Sequence, residues 1–366
     1  MYTVAVTHSP PPALALPLPL PVHTTDDTGA DVTVRTADPT DATAVRRITQ
    51  NTWPDRSDDD YVGSVFPEWV AADDGETAQT VIITVDSQSQ SQPDDAHSKN
   101  QNNTDIVGVA QVCTLSETEA WIQGLRIAPT YRGRGLATIL IQTLCAVARA
   151  MHATIVRGIV FSWNSASLGL LRQTGFDPGI AFRWVQPEPY ETSIQTVSAA
   201  NDNMPLSVRT TEDTSVEDVW SFWQTTEVKQ TLDGIIIDEH ESWALSTLRR
   251  DHIQRAAMTS RLITVRSNSS PGTVRGFTIR NRTYEAMGEA KAPGAEYAIA
   301  AWEPGDEAAV QSLLTAIRRD ATLLDSAIEH TRALVPEDVR WLSDAAITGA
   351  GMWSEPIFSM SRQLST

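Results

Sequence analysis

The stretch that decides the fold is Leu125-Arg126-Ile127-Ala128-Pro129-Thr130-Tyr131-Arg132-Gly133-Arg134-Gly135-Leu136-Ala137-Thr138. A strand-like apolar run enters a proline, crosses a loop with two glycines and two arginines, and leaves as a second apolar run. In that second run Leu136, Leu140, Leu144 and Val147 recur at spacings of three and four, the pattern of one helix face. Glycine permits backbone conformations and close approaches that a Cβ forbids. A helix start presents unpaired N–H groups and the positive end of its dipole. Flanked by two guanidinium groups, this strand–loop–helix is a site for an anion, and it suits a pyrophosphate.

Working outward, the segments around the loop read as strand 32–37, helix 40–52, helix 58–71, strand 79–86, strands 106–115 and 119–128 joined as a hairpin around Ser116 and Glu117, helix 135–151, strand 153–162, helix 165–174 and strand 180–186. The polar Gln/Ser/Asn/Asp run 87–105 reads as a surface loop. Residues 1–30, rich in Pro, Thr and Asp, read as a disordered tail, and 187–205 as a linker. Beyond the linker the layout recurs. Val34-Arg35-Thr36 answers Val208-Arg209-Thr210, Val45 answers Val219 and Trp69 answers Trp243, all at one offset. Further on, Ile83-Thr84-Val85 answers Ile263-Thr264-Val265, and Gly108 answers Gly276. The shared order indicates a tandem duplication, with domains over 31–186 and 206–364.

Downstream of the loop, Asn164, Ser167, Leu170, Gly175 and Phe176 fit the pattern Asn-x-x-Ala/Ser-x-x-Leu-x-x-x-x-Gly-Phe, and Arg132, Gly135 and Ala137 fit Arg/Gln-x-x-Gly-x-Gly/Ala. Together these motifs resemble the GNAT N-acetyltransferase superfamily. The resemblance implies an α/β (α+β) fold, here as two tandem GNAT-like domains, each a mixed, mostly antiparallel sheet flanked by helices. It implies acetyl-CoA as co-substrate and transfer of its acyl group to an amine by direct attack. Carried over, Leu125, Arg126 and Ile127 pair with the pantetheine arm. Arg132, Gly133, Arg134, Gly135, Leu136, Ala137 and Thr138 hold the pyrophosphate, and Asn164 bonds the pantetheine end near the thioester. Asn164 also reads as an N-cap of the following helix.

The sequence departs from that family in two places. Many members carry a tyrosine, the acid for the leaving thiolate, where this chain has Leu171. For the base, Glu117 and Glu119 flank the strand that leads to the active centre, and Glu119 is the better placed because it lies on the strand. In the second half the counterpart of the loop is Ala301-Trp302-Glu303-Pro304-Gly305-Asp306-Glu307-Ala308-Ala309, with one glycine and three acids. Carboxylates there repel a phosphate, so this half reads as degenerate. An N-acyltransferase and a non-catalytic acyl-CoA-binding sensor or scaffold both follow from these features. The acceptor amine is not identified by any of them.

Composition sets the remaining bounds. There are 46 acidic and 28 basic residues, a net charge of -18, and only three lysines. The acids are scattered along the chain, which reads as adaptation to a salt-rich cytoplasm and argues against nucleic acid as a partner. No apolar run reaches the length of a membrane span. Cys113 and Cys145 lack histidine companions and read as buried reduced thiols of a cytoplasmic protein, with no metal site. Of the 11 tryptophans, Trp121, Trp163 and Trp184 read as strand core, while Trp53, Tyr61 and Phe66 lie near the helices that line the acceptor groove in the resembled family.

Overall fold

A computed structural model of the chain describes residues 20–50, 52, 60–86, 104–189, 206–210, 215–270, 273–285, 292–324 and 328–364. By contact the chain divides into two compact units. The first comprises Met1–Gly158, Ala166–Asp177 and Ser361–Thr366, and the second Ile159–Ser165 and Pro178–Met360. The division does not fall at the expected linker, because residues 178–186 group with the second unit and the last residues of the chain with the first. Residues 190–205, most of that linker, lie outside the described residues, as do 87–103 of the expected polar loop.

The first unit begins with β1 (Val22–Thr25) and β2 (Asp31–Thr36), followed by α1 (Ala42–Thr49) and α2 (Val62–Ala72). Then come β3 (Ala78–Asp86), β4 (Thr104–Thr114), β5 (Glu119–Ile127), α3 (Leu136–Ala150), β6 (Ile155–Phe161) and α4 (Ser165–Gln173). Strands β1 to β5 pair antiparallel in chain order, and β6 joins β5 in parallel. Consecutive Val81, Ile82 and Ile83 are all buried because helices cover both faces of the sheet. Val45, Ile48, Val62 and Phe66 of α1 and α2 pack with Ile82 and Val109 on one face. Leu136, Leu140 and Leu144 of α3 are buried, as their spacing predicts, while Val147 is half-buried. Each such fully buried side chain contributes roughly 1.5–3 kcal/mol of transfer free energy.

The disordered tail expected over 1–30 does not extend to residue 30. Residues 22–30 form β1 and a turn into β2, and residues 1–19 lie outside the described residues. Asp26 organises the turn. Its Oδ1 accepts from the Thr28 N–H (2.9 Å), the Thr28 hydroxyl (2.7 Å) and the Ala30 N–H (3.0 Å). The overlooked signal is Asp26-Asp27-Thr28-Gly29, a turn composition between two β-branched runs, with Gly29 at φ +82°.

The second unit holds β7 (Asp177–Gln186, from Pro178 onward), β8 (Leu206–Thr210), α5 (Val216–Thr225), α6 (Glu227–Thr231), β9 (Ile235–Ile237), β10 (Leu245–Thr247) and α7 (Arg250–Met258). It continues with β11 (Leu262–Ser267), β12 (Val274–Glu285), β13 (Pro293–Trp302), α8 (Glu307–Thr322), β14 (His330–Pro336), α9 (Val339–Ile347), β15 (Gly351–Met352) and β16 (Ile357–Gln363). Strands β8, β11, β12 and β13 pair antiparallel and β14 adds in parallel, so this unit repeats the order of β2 to α4 with β9, β10 and α7 added before β11. One internal correspondence has a shared physical cause. A Cβ at Gly108 would lie 2.8 Å from the Arg126 carbonyl oxygen, and one at Gly276 would lie 2.8 Å from the Ala301 carbonyl oxygen. The pairing of Trp69 with Trp243 is not structural, since Trp69 lies in α2 and Trp243 in the loop between β9 and β10. Among the described residues no helix is long and apolar enough to cross a membrane.

Candidate cofactor-binding site

The first unit's sheet opens beside the loop. Register pairs between β5 and β6 run from Glu119↔Ile155 to Trp121↔Arg157 and end there, six residues before β5 does. On the other edge β4 stays paired through Gly108↔Ile127, with a shift between Val109 and Gln111. The shift puts an extra residue in β5 at Gly124 and Leu125, a β-bulge. Gly124 has φ +65°, and a Cβ there would overlap the Trp69 ring, so only glycine fits. The Ala128 N–H donates to the Val107 carbonyl (2.8 Å) on the β4 side. By alternation Ile127 and Leu125 turn their N–H and C=O groups to the splayed edge, while the main chain of Arg126 turns to β4. Of the three expected pantetheine partners, Leu125 and Ile127 therefore turn their main chain to the splayed edge, where the Leu125 carbonyl accepts from the Arg126 guanidinium (3.1 Å) and the Ile127 carbonyl from Arg132.

The Arg126 side chain is buried elsewhere. It forms a bidentate pair with the buried Asp60 carboxylate (Nε–Oδ2 2.5 Å, Nη2–Oδ1 3.0 Å) and lies over the Tyr61 ring. This ties the start of α2 to β5. Sequence reading missed Gly124, Trp69 and Asp60; the isolated glycine inside a strand was the available signal.

Beyond Ile127 the chain makes one 3-10 turn over Pro129–Tyr131 and enters the loop. Gly133 and Gly135 both have φ +76°, as the two-glycine loop implies, and a Cβ at Gly133 would meet nothing within 4 Å. Gly135 is the N-cap of α3, and no side chain caps that helix. The N–H groups of Leu136, Ala137 and Thr138 begin the helix at its positive end. Arg132 donates to the Ile127 carbonyl (3.3 Å) and the Thr52 carbonyl (3.1 Å), which holds the loop to β5. Among the described residues no carboxylate pairs with Arg132. Arg134 differs: it pairs with the Asp26 carboxylate (Nε–Oδ2 2.7 Å) and lies over the Tyr131 ring.

Residues 66–176 match the model of the acetyltransferase (GNAT) family. This chain carries a GNAT domain. A GCN5-related N-acetyltransferase from Sphaerobacter thermophilus shares 15% identity and superposes with a TM-score of 0.54, over 92% of this chain and 96% of that one. A tandem GNAT protein from the clavulanic acid biosynthesis pathway shares 12% identity, with a TM-score of 0.50 over 92% and 99%. At such identities the likeness concerns the fold. No curated protein matches the sequence.

The GNAT domain places its remaining candidate residues as follows. Glu119 is buried and paired with the buried Arg157 (Oε1–Nη1 2.5 Å), and its Oε2 accepts from Ser116 (3.3 Å). It sits at the closed end of β5, where β6 is still paired, eight residues from Ile127 or roughly 26 Å along the strand. The expectation of Glu119 as base gives way to a structural ion pair that locks β5 to β6. Leu171 is buried in α4 and supplies no acid. The Gly175-Phe176 motif is a helix stop. Gly175 has φ +84°, the Phe176 N–H donates to the Leu171 carbonyl (2.9 Å), and the Phe176 ring is fully buried. Asn164 belongs to the second unit, directly before α4, and its N–H donates to the Phe161 carbonyl (2.9 Å).

Trp121 and Trp184 are core as expected, whereas Trp163 lies half-buried in the turn after β6, stacked on Phe161 at 5.8 Å. Trp53 lies outside the described residues; Phe66 is buried and Tyr61 half-buried. Cys113 and Cys145 are both buried and outside any disulfide, and burial pushes the Cys145 thiol up to about 11. Among the described residues no group of three His, Cys, Asp or Glu is placed to hold a metal ion.

The second unit keeps the splay and fills it. Pairs between β13 and β14 end at Tyr297↔Ala333, five residues before β13 does. There Trp341 of α9 donates its indole N–H to the Trp302 carbonyl (3.1 Å). The buried Asp344 carboxylate accepts from the Gly305 N–H (2.8 Å) and the Trp302 indole (3.0 Å). Asp306 caps α8 by accepting from the Ala309 N–H (3.1 Å) and pairs with Arg275. The Gly305 and Ala309 N–H groups, in the counterpart of the phosphate loop and helix start, are thus already bonded to the protein's own carboxylates.

Proposed function

We propose that the chain is an N-acyltransferase that takes its acyl group from acetyl-CoA and passes it directly to an amine. The observation that carries this reading is the left-handed Gly133/Gly135 loop at an uncapped helix start, fed by a strand whose ladder to β6 ends at Trp121. The residues present fit such a co-substrate. The N–H groups of Gly133 to Thr138 and the Arg132 guanidinium suit the pyrophosphate, and the Leu125 and Ile127 N–H groups on the splayed edge suit an extended, amide-bearing arm. Bound acetyl-CoA supplies a thioester, an activated acyl group with a good leaving thiol.

The chain's own contribution is orientation and polarisation. The Ile127 N–H on the splayed edge donates toward the thioester carbonyl oxygen and stabilises the charge that develops there. Trp69 over Gly124 and the Asp60–Arg126 pair fix the bulge that aims this edge. With Glu119 in an ion pair and Leu171 buried, the amine's proton passes to water and the thiolate leaves without a tyrosine acid. The test is an amine panel with acetyl-CoA, following thiol release. Release should require an amine and rise with pH over the range where that amine loses its proton. Absence of amine-dependent release across the panel, with acetyl-CoA bound, contradicts the reading.

A further inference from the structure

The turn between β1 and β2 lies on the phosphate loop, in the same unit. The Asp27 N–H donates to the Arg134 carbonyl (3.2 Å). Asp26 takes the Arg134 guanidinium through Nε (2.7 Å), and Arg134 also reaches the Thr28 hydroxyl (3.3 Å). A Cβ built on Gly135 would lie 2.8 Å from both carboxylate oxygens of Asp27, so that carboxylate rests against the α-carbon of the glycine that starts α3. Asp26 has structural work in the turn, accepting from Thr28 and Ala30. Asp27 has no such bond among the described residues. It is exposed, yet its negative charge is set over an uncapped helix start, where an anion is favoured.

We propose that the acidic β1–β2 turn is an autoinhibitory plug: Asp27 holds the anion position at Gly135, Asp26 draws off the Arg134 charge, and the turn must lift before a pyrophosphate seats. This rests on the reading that CoA binds at the loop. Two like charges cannot share the position, so the carboxylate opposes the ligand directly. The second unit has the fixed version of the same device, with Asp344 on Gly305 and Asp306 capping α8. There the carboxylates are bonded to the N–H groups; in the first unit the carboxylate is exposed, on a turn joined to the loop by one ion pair, one N–H bond and one hydroxyl bond.

The experiment is calorimetry of CoA with the full chain and with Asp27→Asn, Asp27→Ala and Asp31→Asn. Asp27 is exposed, so its variants keep the fold; Asp31, also exposed and in the same hairpin, controls for the general loss of a negative charge. Asp27→Asn and Asp27→Ala should bind CoA roughly tenfold more tightly than the parent, and Asp31→Asn less than twofold more tightly. Binding by the Asp27 variants when the parent shows none also supports the plug. Equal or weaker binding by the Asp27 variants, with the parent binding, overturns the plug and leaves the loop assignment standing. Equal tightening by Asp31→Asn overturns it too, in favour of long-range charge. No binding by any of the four proteins removes the loop assignment, and the plug with it.

Discussion

Gly124 holds φ at +65° under the Trp69 ring, so both its backbone and the space above it reject a side chain. Gly124→Ala should destabilise the protein by about 1–3 kcal/mol, part backbone strain and part overlap with the indole. In a Trp69→Ala background the same change should cost only the strain, about 1 kcal/mol, and a double-mutant cycle by urea unfolding separates the two. Equal costs in both backgrounds would place the problem in the backbone alone. Glu119→Gln has the opposite profile from a base substitution. It leaves the buried Arg157 guanidinium without its charge partner, so stability should fall by roughly 3 kcal/mol while activity per folded molecule holds. A rate loss of 100-fold or so without loss of stability would restore Glu119 as the base. These two residues show where reading by position fails. Glu119 sits at the expected place in sequence, but which side chain faces it is fixed by β6, thirty-eight residues away.

Helix α3 and the β4–β5 hairpin were legible because each is a local pattern: apolar residues at spacings of three and four, and two alternating runs around a short polar turn. The splay and bulge of β5 were not, because they follow from where β6 stops pairing and from Trp69 pressing on Gly124. The β1–β2 hairpin was missed because proline-rich composition upstream outweighed a clear turn signal at Asp26 to Gly29. That hairpin has a pH signature. Burial pushes the Asp26 carboxyl up, but hydrogen bonds from the Thr28 hydroxyl, the Ala30 N–H, Arg134 and the Thr28 N–H outweigh it and hold the group at about 2. A folded-state value below the usual 3.8 means that the charged form stabilises the fold. The contribution is complete above about pH 4 and is lost as pH falls through 2. Asp26→Asn should therefore be less stable than the parent at pH 6, with the gap closing toward pH 2 in thermal melts. A gap independent of pH would contradict this.

Across the whole molecule the duplication was readable from ordered identities, and the loss of the second loop from its three acids. What sequence could not show is how that half satisfies itself, because Asp344 and Trp341 reach Gly305 and Trp302 from about forty residues downstream. Nor could it show that the contact units exchange segments. Residues 178–186 belong to the second unit, while near the C-terminus Leu364 donates to Thr154 and Arg362 to Thr174 within the first. Cutting at the linker removes a piece from each unit, so ligand binding is best measured on the intact chain. The most direct measurement is calorimetric titration of the full chain with acetyl-CoA, beside Gly135→Val. The branched side chain is incompatible with φ +76° and invades the space over α3. One site per chain, weakened by roughly two orders of magnitude or more in Gly135→Val with the fold retained, is the predicted result. Two equivalent sites, or a Gly135→Val variant that binds as the parent does, would contradict the assignment.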